Sequence, residues 1–263
     1  MKRILVLILA CVMLAAVLAG CSGGHGDWGY IEEKGVLIIG FTDYPPMNYI
    51  DENGELVGFE TEFAKAVCGI LELEPEFIEI EWGSKEMELN AKSIDAVWNG
   101  MTITPQRADE MDISVPYMGN SQVLVVRAED EETYRTATDL TGVSVVAEVG
   151  STLEQTIEEN ELFANADYTG VDKQMTGIME VAAGTADMTV VDSTLAEEVL
   201  RPGGDFDGLV FIDKGYKEKF GIAFRKDSPV TLEKINGAIK QLQDNGTLFE
   251  IAQKYDKAAD LLD

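Results

Sequence analysis

The sequence is poor in cations, cysteine and histidine. Its 263 residues include 20 lysines and arginines against 48 aspartates and glutamates, a formal net charge of −28. A surface of that sign repels phosphate backbones and anionic lipid headgroups, which excludes nucleic-acid binding and electrostatic attachment to a membrane. The single histidine, His25, stands in SGGHGDWG, a glycine-rich stretch of linker composition. Histidine-based triads and histidine-rich metal sites are thereby excluded from the folded part, and neither metal nor cofactor is expected. Of the three cysteines, Cys11 lies in an N-terminal apolar run and Cys21 just after it. Cys68 alone remains for the fold, so no internal disulfide can form. In FETEFAKAVCGIL it is in phase with Ala64 and Leu71, the place of a buried apolar residue on a helix, with a reactive thiol as the alternative. No GxxxxGK[ST] segment occurs, which disfavours nucleotide binding.

What is present begins at the N-terminus. Lys2 and Arg3 precede an unbroken apolar run over residues 4–19, short for a membrane span and flanked like a secretory signal. Leu18-Ala19-Gly20-Cys21 resembles the lipobox of bacterial lipoproteins, and that resemblance implies cleavage before Cys21 and acylation of its sulfur. A plain signal peptide with an accidental cysteine, or an uncleaved membrane helix, is the alternative. The expected division is a signal peptide over 1–20 and a lipidated tether over 21–34. The mature chain then keeps 18 basic against 48 acidic residues, a net charge of −30. Only its lipid would touch the membrane.

From residue 36, short β-branched runs alternate with amphipathic stretches, the pattern of an α/β protein with mainly parallel sheets. VLIIGF, FIEIEW, DAVWNGM, QVLVVR, VSVVAEV, MTVVD, LVFID and GIAFR read as strands. FETEFAKAVCGIL, SKEMELNAKS, STLEQTIEEN, DKQMTGIMEVAAG and STLAEEVL read as helices, and Asn53-Gly54 marks a tight turn. Ser151 and Glu154 have capping-box spacing, Ser228 precedes a first-turn proline, and Gly246 stops one helix before Thr247 caps the next. QVLVVR and FGIAFR bracket about 95 residues with their own strand and helix alternation. Two lobes are therefore expected, 35–121 plus 221–263 and 122–220, with the chain crossing a hinge twice.

NGMTITPQRADE follows a strand, so Asn99, Gly100, Thr102 and Arg107 gather at a strand's carboxyl end, where open α/β sheets bind ligands. A guanidinium grips a carboxylate through two parallel hydrogen bonds; read alone, Arg107 could equally pair with Asp109, Glu110 or Asp112 at the surface. Gly150-Ser151-Thr152 opens a helix after another strand, and helix amino termini favour anions, although an ordinary cap has the same appearance. Asp192 ends MTVVD, where it could cap the next helix or meet an ammonium group. Cation, helix start and anion together form a recognition set for an α-amino acid.

Several segments resemble the family 3 extracellular solute-binding proteins, the amino-acid-binding components of ABC importers: GFTDYPPMNYIDENGELVGFETEFAKAV, IDAVWNGMTITPQRADEMDISVPY, DLTGVSVVAEVGST, MTVVDSTLA and FGIAFRKDSPVTLEKINGAIKQLQDNGTLFEIAQKY. The resemblance covers roughly residues 35–256, in order. It implies a type II periplasmic-binding-protein clamshell, two α/β lobes on a two-strand hinge, closing on a polar amino acid and delivering it to a permease. It also implies an extracytoplasmic monomer with no catalytic residues. Arg107 falls on the family's carboxylate-binding arginine, with Thr102 and Gly100 beside it. Gly150, Ser151 and Thr152 complete the carboxylate site, Asp192 takes the α-ammonium, and Tyr44 packs over the ligand. Met47 replaces a usual phenylalanine, Trp82 matches an aromatic or apolar position, and Gln106 replaces a glutamate and faces solvent.

Glu148, two residues before Gly150, is the candidate for specificity: turned inward it suits a cationic or hydrogen-bond-donating side chain, turned outward it does nothing. Asn99 is expected to donate to the ligand, and Trp98 to belong to the core. Three rival readings remain open. An enzyme on this scaffold, resembling cyclohexadienyl or arogenate dehydratases, would use Glu148 as its acid; a sensor would need a second membrane-spanning run, which is absent; and the cleft could have lost ligand binding.

Overall fold

The computed structural model describes residues 26–262, so the expected signal peptide and the lipidation site at Cys21 lie outside the described residues. The strands are β1 (Val36–Phe41), β2 (Tyr49–Ile50), β3 (Leu56–Val57), β4 (Glu74–Glu79), β5 (Ala96–Thr102), β6 (Met111–Ile113), β7 (Met118–Arg127), β8 (Ser144–Glu148), β9 (Asp167–Val171), β10 (Met188–Asp192) and β11 (Leu209–Arg225). Nine of them form one sheet in the order β4-β1-β5-β11-β7-β10-β8-β9, with β6 also on β11, while β2 and β3 form a hairpin around Asn53-Gly54. β1 pairs in parallel with β4 and β5 on one side, and β8 with β9 and β10 on the other. Helices cover these parallel groups, which is why β5 is buried along its whole length, Asn99 and Thr102 included.

Between the two groups run β7 and β11, antiparallel from Leu209 opposite Arg127 to Phe220 opposite Met118. β11 corrects the reading of LVFID and GIAFR as separate strands: it is one strand of 17 residues. The charged KGYKEK between them looks like a loop. Instead it alternates exposed and half-buried residues against β7, and the register shift between Asp213 and Tyr216 absorbs the glycine at 215.

Two further expectations need correction. The tether expected to reach residue 34 ends earlier, because Gly26–Lys34 is a helix. Its glycines suggest a linker, but Trp28 and Ile31 are buried in the core, and Asp27 pairs with the buried Arg225 at 2.6 Å. β9 (DYTGV) is not among the segments read as strands, its Tyr, Thr and Val being interrupted by glycine; it is an exposed edge strand added by pairing with β8 from Ser144–Asp167 to Glu148–Val171. Among the caps, Ser151 accepts from the Glu154 amide at 3.2 Å as expected. The Ser228 hydroxyl makes no cap bond, and Gly246 rather than Thr247 is the N-cap of the helix Thr247–Lys254. Cys68 is buried, and burial pushes its thiol up to about 12, so it is an inert core residue.

Candidate functional site

The carboxyl ends of β5, β8 and β10 meet beside the paired strands β7 and β11 and enclose a small cavity. Tyr44, Trp82, Asn99, Gly100, Thr102, Arg107, Glu148, Ser151, Thr152 and Asp192 all line it. Ten of the eleven residues singled out in the sequence thus face one space. The eleventh, Gly150, turns its carbonyl to the Arg107 Nη2 at 3.3 Å.

Local chemistry explains how Arg107 enters. Thr104 caps the helix Pro105–Glu110 by accepting from the Arg107 amide at 3.1 Å, and Pro105 fits the first turn, where an amide would be orphaned anyway. Helical side chains lean toward the amino terminus, so Arg107 turns back over the end of β5 and donates to the Thr102 carbonyl at 3.0 Å. The Trp82 ring lies 5.9 Å from the guanidinium carbon. The side chain is buried, and no ion pair joins it to a carboxylate among the described residues; the surface pairing with Asp109, Glu110 or Asp112 does not form. Burial lowers its pKa, against the pull of Glu86, Glu218, Asp192 and Glu148.

Asp192 faces the same cavity with the opposite charge. It does not cap the following helix through its side chain. Its oxygens accept from Asn120 Nδ2 at 2.6 Å and Gln174 Nε2 at 2.5 Å, and no cation pairs with it among the described residues. Burial, then the charge of Glu218, raises its pKa well above the usual carboxylate range. Beside it the Tyr44 hydroxyl is buried, close to the Asp192 carboxyl but with no well-aligned hydrogen bond among the described residues. A buried guanidinium and a buried carboxylate that face one cavity, neither in an ion pair among the described residues, suit a molecule that carries both counter-charges.

The sequence matches the family of bacterial extracellular solute-binding proteins, family 3, over residues 37–258. This chain belongs to that family. It is 29% identical to the L-cystine-binding protein TcyJ of Escherichia coli (strain K12) over 250 residues, 93% of this chain and 92% of that one. It is 30% identical to the arginine-binding extracellular protein ArtP of Bacillus subtilis (strain 168), covering 97% of both. Among solved structures, an ABC uptake transporter substrate binding protein from Streptococcus pneumoniae with bound histidine matches with a TM-score of 0.82 at 28% identity, over 88% of this chain and 96% of that one. The fold is that of the type II periplasmic binding proteins.

In this solute-binding protein the remaining site residues divide by how much bonding capacity they have left. Asn99 corrects its expectation as a ligand donor in part: its Nδ2 donates to Thr42 Oγ1 at 2.7 Å, and its Oδ1 accepts from the Thr42 amide and Asn48 Nδ2, so it braces the loop after β1. Ser151 is committed too, donating to the Glu148 carbonyl at 2.5 Å while it caps. Thr152 reaches Thr102 Oγ1 across the cavity at 3.5 Å and heads a helix of eight residues. Glu148 turns inward and is buried; burial pushes its carboxyl up to about 8, opposed by the charges of Lys85 and Arg107. Trp98 is core and Gln106 is exposed.

Several contributors escaped the sequence reading. Thr42, Asp43 and Gln174 also line the cavity. The first two follow β1 at its carboxyl end, a position that could have flagged them. Glu60 gave no signal, since it stands among polar residues of an amphipathic helix. It is fully buried under the site, accepting from the Gly100 amide at 2.9 Å, from Asn48 Nδ2 at 2.9 Å and from the Tyr117 hydroxyl. Burial raises its pKa to about 7 despite those donors. Gly100 needs to be glycine: its φ is +54°, and a Cβ would meet Tyr44 Cε1 at 2.6 Å.

Proposed function

We propose that this protein captures one polar amino acid by closing two lobes on it and presents the closed form to the permease of an ABC importer. The lobes are 35–121 plus 221–263 and 122–220, the helix Gly26–Lys34 belongs to the first, and β7 and β11 are the hinge. One observation carries the reading: Arg107 and Asp192 face the same cavity, each buried, and neither has an ionic partner among the described residues. A zwitterion supplies both counter-charges, its carboxylate on Arg107, Thr102 and the helix start at Thr152, its ammonium on Asp192 near the Tyr44 hydroxyl. Ligand affinity for the closed form shifts the population toward it. The protein is a monomer held outside the cytoplasmic membrane by a lipid on Cys21, and it binds without catalysing. A thermal-shift panel of the twenty amino acids, with calorimetry on the hits, tests the reading; no response to any of them would reject it.

Glu148 and Asp43 bring further carboxyl groups to the same cavity, which suits a cationic ligand side chain, and an arginine-binding protein is among the relatives. Below about pH 8 the Glu148 carboxyl holds its proton in the free protein. A guanidinium placed beside it favours the ionised form, so binding expels that proton. Calorimetry at pH 6.5 in buffers of different ionisation enthalpy is expected to count more protons released with L-arginine than with L-glutamine. Glu148→Gln is expected to abolish the difference. Equal proton release for the two ligands would rule out Glu148 as the contact. The same protonated carboxyl is what a dehydratase acid would require. Incubation with prephenate is expected to give no aromatic product.

A further inference from the structure

Lys85 has no part in the ligand contacts described above, yet its side chain is only 3% exposed. It opens the helix Lys85–Ala91 in the β1–β4–β5 half, and its ammonium crosses to the other half, donating to the Gly150 carbonyl at 2.9 Å. Its other two partners are the Trp82 carbonyl at 3.2 Å and Glu86 Oε1 at 3.2 Å. Three protons with three acceptors leave none for a ligand. The Gly150 carbonyl also receives Arg107 Nη2, so two buried cations converge on one oxygen. The backbones touch at this point. Gly150 has φ +74°, and a Cβ there would lie 2.9 Å from the Gly83 Cα. Burial, then the nearby Arg107, lowers the Lys85 pKa, so the ammonium is kept in this place against an opposing field.

We propose that Lys85 is a closure latch, a positioning residue that fastens the Gly150–Thr152 turn of one lobe opposite Arg107 of the other. The latch goes beyond the proposed binding function, because it acts on the protein's own lobes and operates before ligand arrives. A charge-assisted hydrogen bond made only in the closed form favours that form by roughly 10- to 100-fold. The apparent affinity falls by the same factor when the free protein is mostly open without it.

The full-length protein, free of ligand, tests this by hydrogen–deuterium exchange in the wild type, Lys85→Met and Lys85→Arg. Met keeps the apolar stem and removes the ammonium. Exchange at residues 150–153 is expected to quicken about 10-fold or more in Lys85→Met, with β7 unchanged, and to recover in part in Lys85→Arg. Unaltered exchange at 150–153 overturns the latch, and so does an equal acceleration in β7, which would mark Lys85 as general packing. With L-arginine as probe, Lys85→Met is expected to dissociate about 10-fold faster or more while association changes by less than about 3-fold. A wild-type dissociation rate in that variant also overturns it. If the wild type binds none of the twenty amino acids, the proposed function fails, and the ligand-free exchange comparison still decides the latch.

Discussion

Replacing Arg107 with alanine is expected to weaken amino-acid binding by at least 30-fold and up to several thousand-fold, the loss typical of truncating one partner of a buried charged pair, roughly 2 to 5 kcal/mol. The guanidinium is the one described cation that lines the cavity, and its bonds to the Thr102 and Gly150 carbonyls leave donors for a carboxylate. The fold should be indifferent. Arg107 stands on a six-residue helix, makes no ion pair among the described residues, and pays a desolvation penalty where it is. The ligand-free variant should therefore melt no lower than the wild type, while the ligand-induced rise in Tm disappears. Arg107→Lys keeps the charge without the planar fork and is expected to fall between the two. Titration calorimetry with Tm measured in parallel separates these outcomes. Wild-type affinity in Arg107→Ala would refute the assignment of the carboxylate site.

Asp192→Asn is expected to lower affinity by about 100-fold or more, although it changes only one atom. The substitution removes the negative charge that an α-ammonium requires. It also sets an NH₂ group against Asn120 Nδ2 or Gln174 Nε2, both of which now donate to this carboxylate, so one donor loses its acceptor. Acidification should imitate the mutation. The Asp192 pKa is raised by burial and by Glu218, and only the ionised form attracts the ammonium. Affinity in the wild type is therefore expected to fall as pH drops through that raised value, and this part of the pH dependence should vanish in Asp192→Asn. An unchanged profile in the variant would place the ammonium elsewhere.

What could be read beforehand followed local rules. The apolar strand DAVWNGM ahead of Arg107, the strand before Gly150 and the strand that ends on Asp192 already pointed to a ligand face. What could not be read depends on residues distant in the chain. Glu60 looks like one more acid on a polar helix face until the fold brings the Gly100 amide and Tyr117 to it. The helix Gly26–Lys34 has linker composition and owes its position to Arg225, about two hundred residues away along the chain. Glu218 lies in a charged segment that reads as loop, yet its carboxylate accepts from Asn120 and Thr152 beside Asp192.

The sequence by itself determined the class of element at most positions, the order of strands and helices, the shortage of cations that leaves Arg107 conspicuous, and the family. These are properties of periodicity, caps and composition, which act over a few residues. Only the tertiary structure decided which way Glu148 faces, that β11 runs unbroken across both halves, and that Lys85 spans them. Each of these depends on burial against residues far away in the chain, and desolvation, not local propensity, sets both the direction and the protonation of a side chain there.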